Sequence, residues 1–194
     1  MSRGDVFEPL AINSISEFCR LMELPAPGHP LVCVIRFDAR KRPPVEMPPR
    51  VVLNLFSIWL KKGVEMGAMR LLLPGQVICR EGAEDPNEGG MSLLIHPELL
   101  WNYSVEKNLE QYGLFASAVA DSLPLGGKEE RLITGILQNI EQEYLPPVNV
   151  CCQEAILSHV EALFVFAERF YRRRCKQDGA DEQSMRHATI PRKA

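Results

Sequence analysis

The apolar positions of this chain change period along its length, and the changes divide it into layers. Ser14-Ile15-Ser16-Glu17 has the form of a capping box, in which a hydroxyl and a carboxylate satisfy the first free amides of a helix. Phe18, Leu21, Met22 and Leu24 follow at helical spacing until Pro25, so a short amphipathic helix is expected over 15–23. Seven prolines then fall within 25–49 and mark two loops, around a β-branched strand at 31–37 (LVCVIRF). Residues 50–60 (RVVLNLFSIWL) are apolar on both alternating faces and read as one strand covered on both sides. A strand at 69–73 runs into the turn Pro74-Gly75, and 77–79 continues beyond it. The stretch 82–90 is an acidic, glycine-rich loop, 91–95 the next strand, and His96-Pro97-Glu98 opens a short helix with proline in its first turn.

Past Gly127 the period lengthens to that of a helix. Leu132, Ile133, Ile136, Leu137, Ile140 and Tyr144 make one stripe of a helix at 128–145, stopped by Pro146-Pro147. A second helix is expected over 151–174. At 100° per residue, its apolar positions from Ile156 to Tyr171 spread over about 180°, against the roughly 100° that one packing layer uses. The surplus calls for two partners: the strand layer, and either the preceding helix or a second subunit. Helix, strands, then two long helices predict an α+β fold with segregated layers.

Charge sharpens this division. Of 194 residues, the first 171 carry 15 Lys+Arg and 22 Asp+Glu, whereas 172–194 carry 7 and 3. After Tyr171 the only large apolar residues are Met185 and Ile190, so a folded domain over 1–174 and a disordered basic tail over 175–194 are expected. The total formal charge of −3 excludes a polybasic binder of nucleic acid acting through bulk electrostatics. No apolar run approaches a membrane span, and Asp5, Glu8 and Glu17 interrupt the start where a secretory signal would be apolar, so a cytoplasmic protein without membrane contact is expected.

Candidate chemistry is sparse. The chain has no GxSxG elbow, no phosphate loop and no GxGxxG after a strand. Its histidines (29, 96, 159 and 187) are dispersed, and its cysteines (19, 33, 79, 151, 152 and 175) include no CxxC; they read as buried free thiols. Neither metal site, cofactor nor enzymatic activity is expected. His96 reads as a capping or structural histidine in preference to a catalytic base. Asn54, polar within an apolar strand, either pairs with a neighbouring loop or points into a ligand cavity. Glu129-Glu130 and Glu141/Glu143 read as solvated helix faces, the first pair well placed for the helix dipole.

Several local strings, taken in order, resemble the N-terminal part of AraC-type transcription regulators. They are Ile15-Ser16-Glu17-Phe18-Cys19-Arg20-Leu21-Met22, His29-Pro30-Leu31-Val32, Val52-Leu53-Asn54-Leu55-Phe56-Ser57-Ile58 with Lys61-Lys62-Gly63, and Pro74-Gly75-Gln76-Val77. Leu94-Ile95-His96-Pro97-Glu98-Leu99-Leu100, Tyr112-Gly113-Leu114-Phe115, Glu129-Glu130 and Glu168-Arg169-Phe170-Tyr171 complete the set. The resemblance covers about 12–174 and implies a cupin-like β-barrel followed by two antiparallel helices. It implies a small-molecule effector, with Asn54, Phe56, Ile58 and His96 as candidate contacts, and a homodimer through the C-terminal helices, with Ile156, Val160, Leu163, Ala167 and Phe170 at the interface. The interval from Lys61-Lys62 to Pro74-Gly75 is shorter than usual in the family, so an incomplete barrel is expected. The family's helix-turn-helix half has no counterpart after Arg174, so direct DNA binding is not expected. The expected function is therefore the effector-sensing and dimerisation domain of such a regulator, without its DNA-binding half. The alternative is a stand-alone cupin-like module that binds a small molecule or a protein.

Overall fold

The computed structural model describes residues 9–37, 50–63, 66–79, 89–101, 103, 122–145 and 150–188. The second proline-rich loop, most of the 82–90 stretch, the 112–115 string and 189–194 lie outside the described residues. Along the chain come β1 (Leu10–Ile12), α1 (Ile15–Leu21), β2 (Val32–Phe37), β3 (Arg50–Leu53), β4 (Phe56–Lys61) and β5 (Gly67–Leu72). Then follow β6 (Gln76–Cys79), β7 (Gly90–Ile95), α2 (Pro97–Leu100), β8 (Leu123–Leu125), α3 (Gly127–Tyr144) and α4 (Val150–Ala188).

The cap of α1 forms in a shifted version. Ser14 Oγ accepts from the Glu17 amide at 3.1 Å, while the Glu17 carboxylate accepts from Asn13 N–H at 2.7 Å. The helix closes at Leu21, because Glu23 turns left-handed (φ 52°) and Leu24 N–H reaches back to the Cys19 carbonyl at 2.8 Å.

The expected single strand over 50–60 is two strands in two sheets. Asn54 breaks it: its backbone N–H donates to the Ile12 carbonyl (2.9 Å) and its side-chain amide to Asn13 Oδ1 (2.7 Å). Before the break, β3 lies between β1 (parallel) and β6 (antiparallel) in a three-stranded sheet. After it, β4 enters a five-stranded antiparallel sheet in the order β2-β7-β4-β5-β8. Gly75 makes the turn from β5 back to the small sheet at φ 84°, its N–H donating to the Leu53 carbonyl at 2.9 Å. The fold is α+β as expected, but its strands form two sheets, and no closed barrel is formed among the described residues.

Alternation along the large sheet assigns its two faces. Val32 and Val34, Ile58 and Leu60, Met69 and Leu71, and Leu93 and Ile95 join one core with Ile133, Leu137 and Ile140 of α3 and Ile156, Val160, Leu163 and Phe164 of α4. The opposite face sends Cys33, Ile35 and Leu94 into a second core with Ile12, Phe18, Val51, Leu53 and Leu55. The molecule is thus layered: helix pair, large sheet, then small sheet with α1.

The helix pair also covers one edge of the large sheet. Tyr144 Oη accepts from the Val34 N–H of edge strand β2 at 2.9 Å, and the Glu141 carboxylate pairs with Arg36 on the same strand. Glu141 is therefore no free solvated face, and neither is Glu129, which accepts from Gly126 N–H (2.9 Å) and pairs with Arg173. Tyr144 approaches Gly28 so closely that a Cβ there would lie 3.2 Å from the ring.

The last helix outruns its expected end. Its backbone is helical to Ala188, well past Arg174, so the expected disordered tail is in part helical. Residues 172–177 are exposed throughout; arginine, lysine and glutamine are good helix formers and hold the conformation without burial. Among the described residues, no helix is long and apolar enough to cross a membrane.

Candidate functional site

The structure does not gather Asn54, Phe56, Ile58 and His96 around a common cavity. Ile58 is buried in the helix-side core, and Phe56 packs on the same core, two residues away on the same face of β4. Asn54 lies at the strand break, committed to Asn13. His96 caps α2: its Nδ1 accepts from the Glu98 amide (3.3 Å), and its backbone N–H donates to Leu31 (2.9 Å). Both polar members therefore take the structural reading.

The inter-sheet face of the large sheet holds a different set. Ser57 and Ser92, on adjacent strands, are fully buried with their hydroxyls 3.5 Å apart. Trp59 stands directly opposite Ser92 in the β4–β7 register. Its indole stacks on Phe37, with ring centroids 5.1 Å apart and planes 11° from parallel. The Trp59 Nε1–H is buried and has no hydrogen-bond partner among the described residues. An indole N–H can only donate, and leaving it buried and unmet costs on the order of 1–3 kcal/mol. Two hydroxyls, one free donor and a stacked aromatic pair on one face can recognise a small planar molecule with a hydrogen-bond acceptor. The sequence signal was present in the alternation of Ser57 and Trp59 against Phe56 and Ile58, but apolar residues on both faces concealed which side was which.

Two thiols border this layer. Cys19 of α1 and Cys33 of β2 are free and buried in the same core. Burial pushes the Cys33 thiol up to about 12, with the neighbouring Cys19 adding to the shift. The Tyr144 hydroxyl is likewise pushed up to about 12, chiefly by burial. Both groups are neutral across the physiological range and poor nucleophiles. Cys175, by contrast, is exposed, against the expectation of a buried thiol. Among the described residues, no cluster of three or more His, Cys, Asp or Glu can hold a metal ion.

The expected dimer residues are a correction. Ile156, Val160, Leu163, Ala167 and Phe170 are all buried within one chain, in the core shared with α3 and the large sheet. The wide apolar arc of α4 is consumed by those two partners, leaving none of the five free for a second subunit. Two surface grooves lie elsewhere: one of about 510 Å³ along the outer side of α4 near Arg172, and one of about 520 Å³ beside β1 and α1. No known protein-family profile matches the chain, and no curated protein matches it significantly.

Proposed function

We propose that this chain is the effector-sensing and dimerisation domain of an AraC-type regulator. The reading joins the ordered strings of the sequence to the arrangement of two facing sheets, as an opened cupin-like barrel would present, followed by two antiparallel helices. The observation that carries it is the Trp59 N–H, without a partner among the described residues, beside Ser57 and Ser92 in the inter-sheet layer. A buried donor without an acceptor is costly in a purely structural core and useful in a site that receives one from a ligand. No direct reading of DNA bases is assigned to these layers.

Because the five buried residues of α4 are unavailable, the dimer contact moves to the outer side of the helix pair. Leu132, Gly135, Asn139 and Gln142 of α3 form a strip at helical spacing that carries no charge. Two copies of such a strip can meet with Lys128 and Glu143, its neighbours at four-residue spacing, left at the rim.

A fusion of the chain to a DNA-binding domain that occupies its operator only as a dimer tests both parts. Repression of a reporter is expected, and its modulation by small-molecule fractions is expected to vanish in Trp59→Phe while repression persists. A folded, expressed fusion that never represses defeats the regulator reading. Ligand-dependent stabilisation without repression would favour the stand-alone module.

A further inference from the structure

We infer that the outer side of α4 between Val165 and Lys176 is a docking groove for an acidic, amphipathic helix of another protein. This goes beyond the regulator reading and does not depend on it. The groove, about 510 Å³, is lined by Val165, Glu168, Arg169, Arg172, Arg173 and Lys176. Three- and four-residue spacings place these side chains in one strip, about 16 Å long at the helical rise. Val165, 48% accessible, lies at the N-terminal end of this strip, with Glu161 one turn before it and Glu168 and Arg169 one turn after it.

The cations are partly organised already. Arg172 Nε donates to Glu168 at 2.6 Å; Arg173 pairs with Glu129 and sits over the Phe170 ring, 5.6 Å from its centroid. A guanidinium has five N–H donors, so each keeps donors to spare after binding one carboxylate. Among the described residues, Arg169 and Lys176 have no ion-pair partner. The strip thus sets four cations against the two carboxylates of Glu129 and Glu168, with an apolar spot at its N-terminal end.

Charge and polarity decide among occupants. A second copy in an isologous contact would oppose this strip to itself, cation against cation. A nucleic-acid backbone has nothing apolar to cover Val165. It would also meet Glu129, Glu168 and a body whose first 171 residues hold 22 acids against 15 bases. An acidic helix with an apolar residue toward one end satisfies both features, laying that residue on Val165 and its carboxylates along the cations that follow.

Selection from a phage-displayed library of random peptides of about 16 residues, three to four turns of helix, on the full chain tests this. Enriched clones are expected to be net acidic with apolar residues at helical spacing. Synthesised, they are expected to bind the R169E/K176E variant about tenfold more weakly or worse. Both substituted side chains are exposed, so the variant is expected to keep its circular dichroism and melting temperature. Failure to enrich any clone, clones without acidic bias, or clones that bind R169E/K176E equally well would each overturn the proposal. So would salt-sensitive retention of random duplex DNA, or self-association of the wild type, if either is lost in the variant.

Discussion

Leu163 lies in the middle of α4 with 0% exposure, among the side chains that α3 and the large sheet share. Replacing it by alanine removes three carbons from a site that two rigid partners enclose. The transfer loss and the cavity left behind together amount to about 2–5 kcal/mol. For a chain of this size each kcal/mol moves the melting temperature by about 2–4 °C, so a central loss of about 3 kcal/mol lowers it by about 6–12 °C. Differential scanning calorimetry over a wide range of protein concentrations measures the drop and identifies its origin. Burial within one chain predicts the same decrement at every concentration and an unchanged sedimentation coefficient. If Leu163 instead faced a second subunit, the variant would dissociate and its melting temperature would rise with concentration. A decrement below 1 kcal/mol, or one that tracks concentration, would refute the assignment of this arc to the monomer core. Ser158→Ala is the control: the residue is exposed, and its hydroxyl only bonds back to the Glu154 carbonyl at 3.0 Å, so its effect is expected within about 0.5 kcal/mol.

Alkali is expected to destabilise the fold selectively. The Cys33 and Tyr144 values lie near 12 in the folded state against 9.0 and 10.0 otherwise, so both contributions are complete below pH 9 and are lost as pH rises toward 12. Urea midpoints between pH 8 and about 11.5 should show the fall, and a C33S/Y144F variant should flatten it. Glu141→Gln should cost less than about 1 kcal/mol and lose its effect in high salt, because Arg36 is half exposed; a larger loss on chemical denaturation would mean the pair is desolvated. In site-resolved alkylation of the native protein, Cys175 should react well before Cys19 and Cys33, and equal rates would contradict their burial. Electrophoretic retardation should reveal no sequence-specific DNA complex at physiological salt, and a shift surviving competitor DNA would contradict this.

Helical periodicity carried the sequence reading furthest. The stripe from Leu132 to Tyr144 and the arc from Ile156 to Tyr171 are long enough for a 3.6 period to leave no rival, and both helices pack as the pattern requires except at Leu132, whose side chain is exposed. Strand boundaries were harder. Nothing local distinguishes Asn54 as a polar interruption from Asn54 as a break; the deciding partners, Ile12 and Asn13, are distant in sequence. β1 and β8 have three residues each, too few to show alternation. The parity of β4 was ambiguous for a related reason: a sheet covered on both faces is apolar on both, so Phe56 and Ile58 could not be told from Ser57 and Trp59 until the helices were placed. The dimer residues failed differently. Amphipathicity measures how much of a helix is buried, never which molecule buries it.

Access to the layer between the sheets is a question of stability as well as of shape. The large sheet is clamped by helices on one side and sealed at one edge by Tyr144, so its central amides in β4 and β7 should exchange with solvent only when the whole chain unfolds. Among the described residues the outer face of the small sheet has no such clamp: Leu10 and Val77 are 43% and 44% exposed, and its hold on the rest is the apolar contact of Ile12, Val51, Leu53 and Leu55. Its local opening therefore takes less free energy than global unfolding. A molecule that binds the Trp59 N–H through that opened state would have its apparent affinity lowered by the rarity of the opening. Substitutions that loosen the small sheet would then tighten binding while lowering the melting temperature.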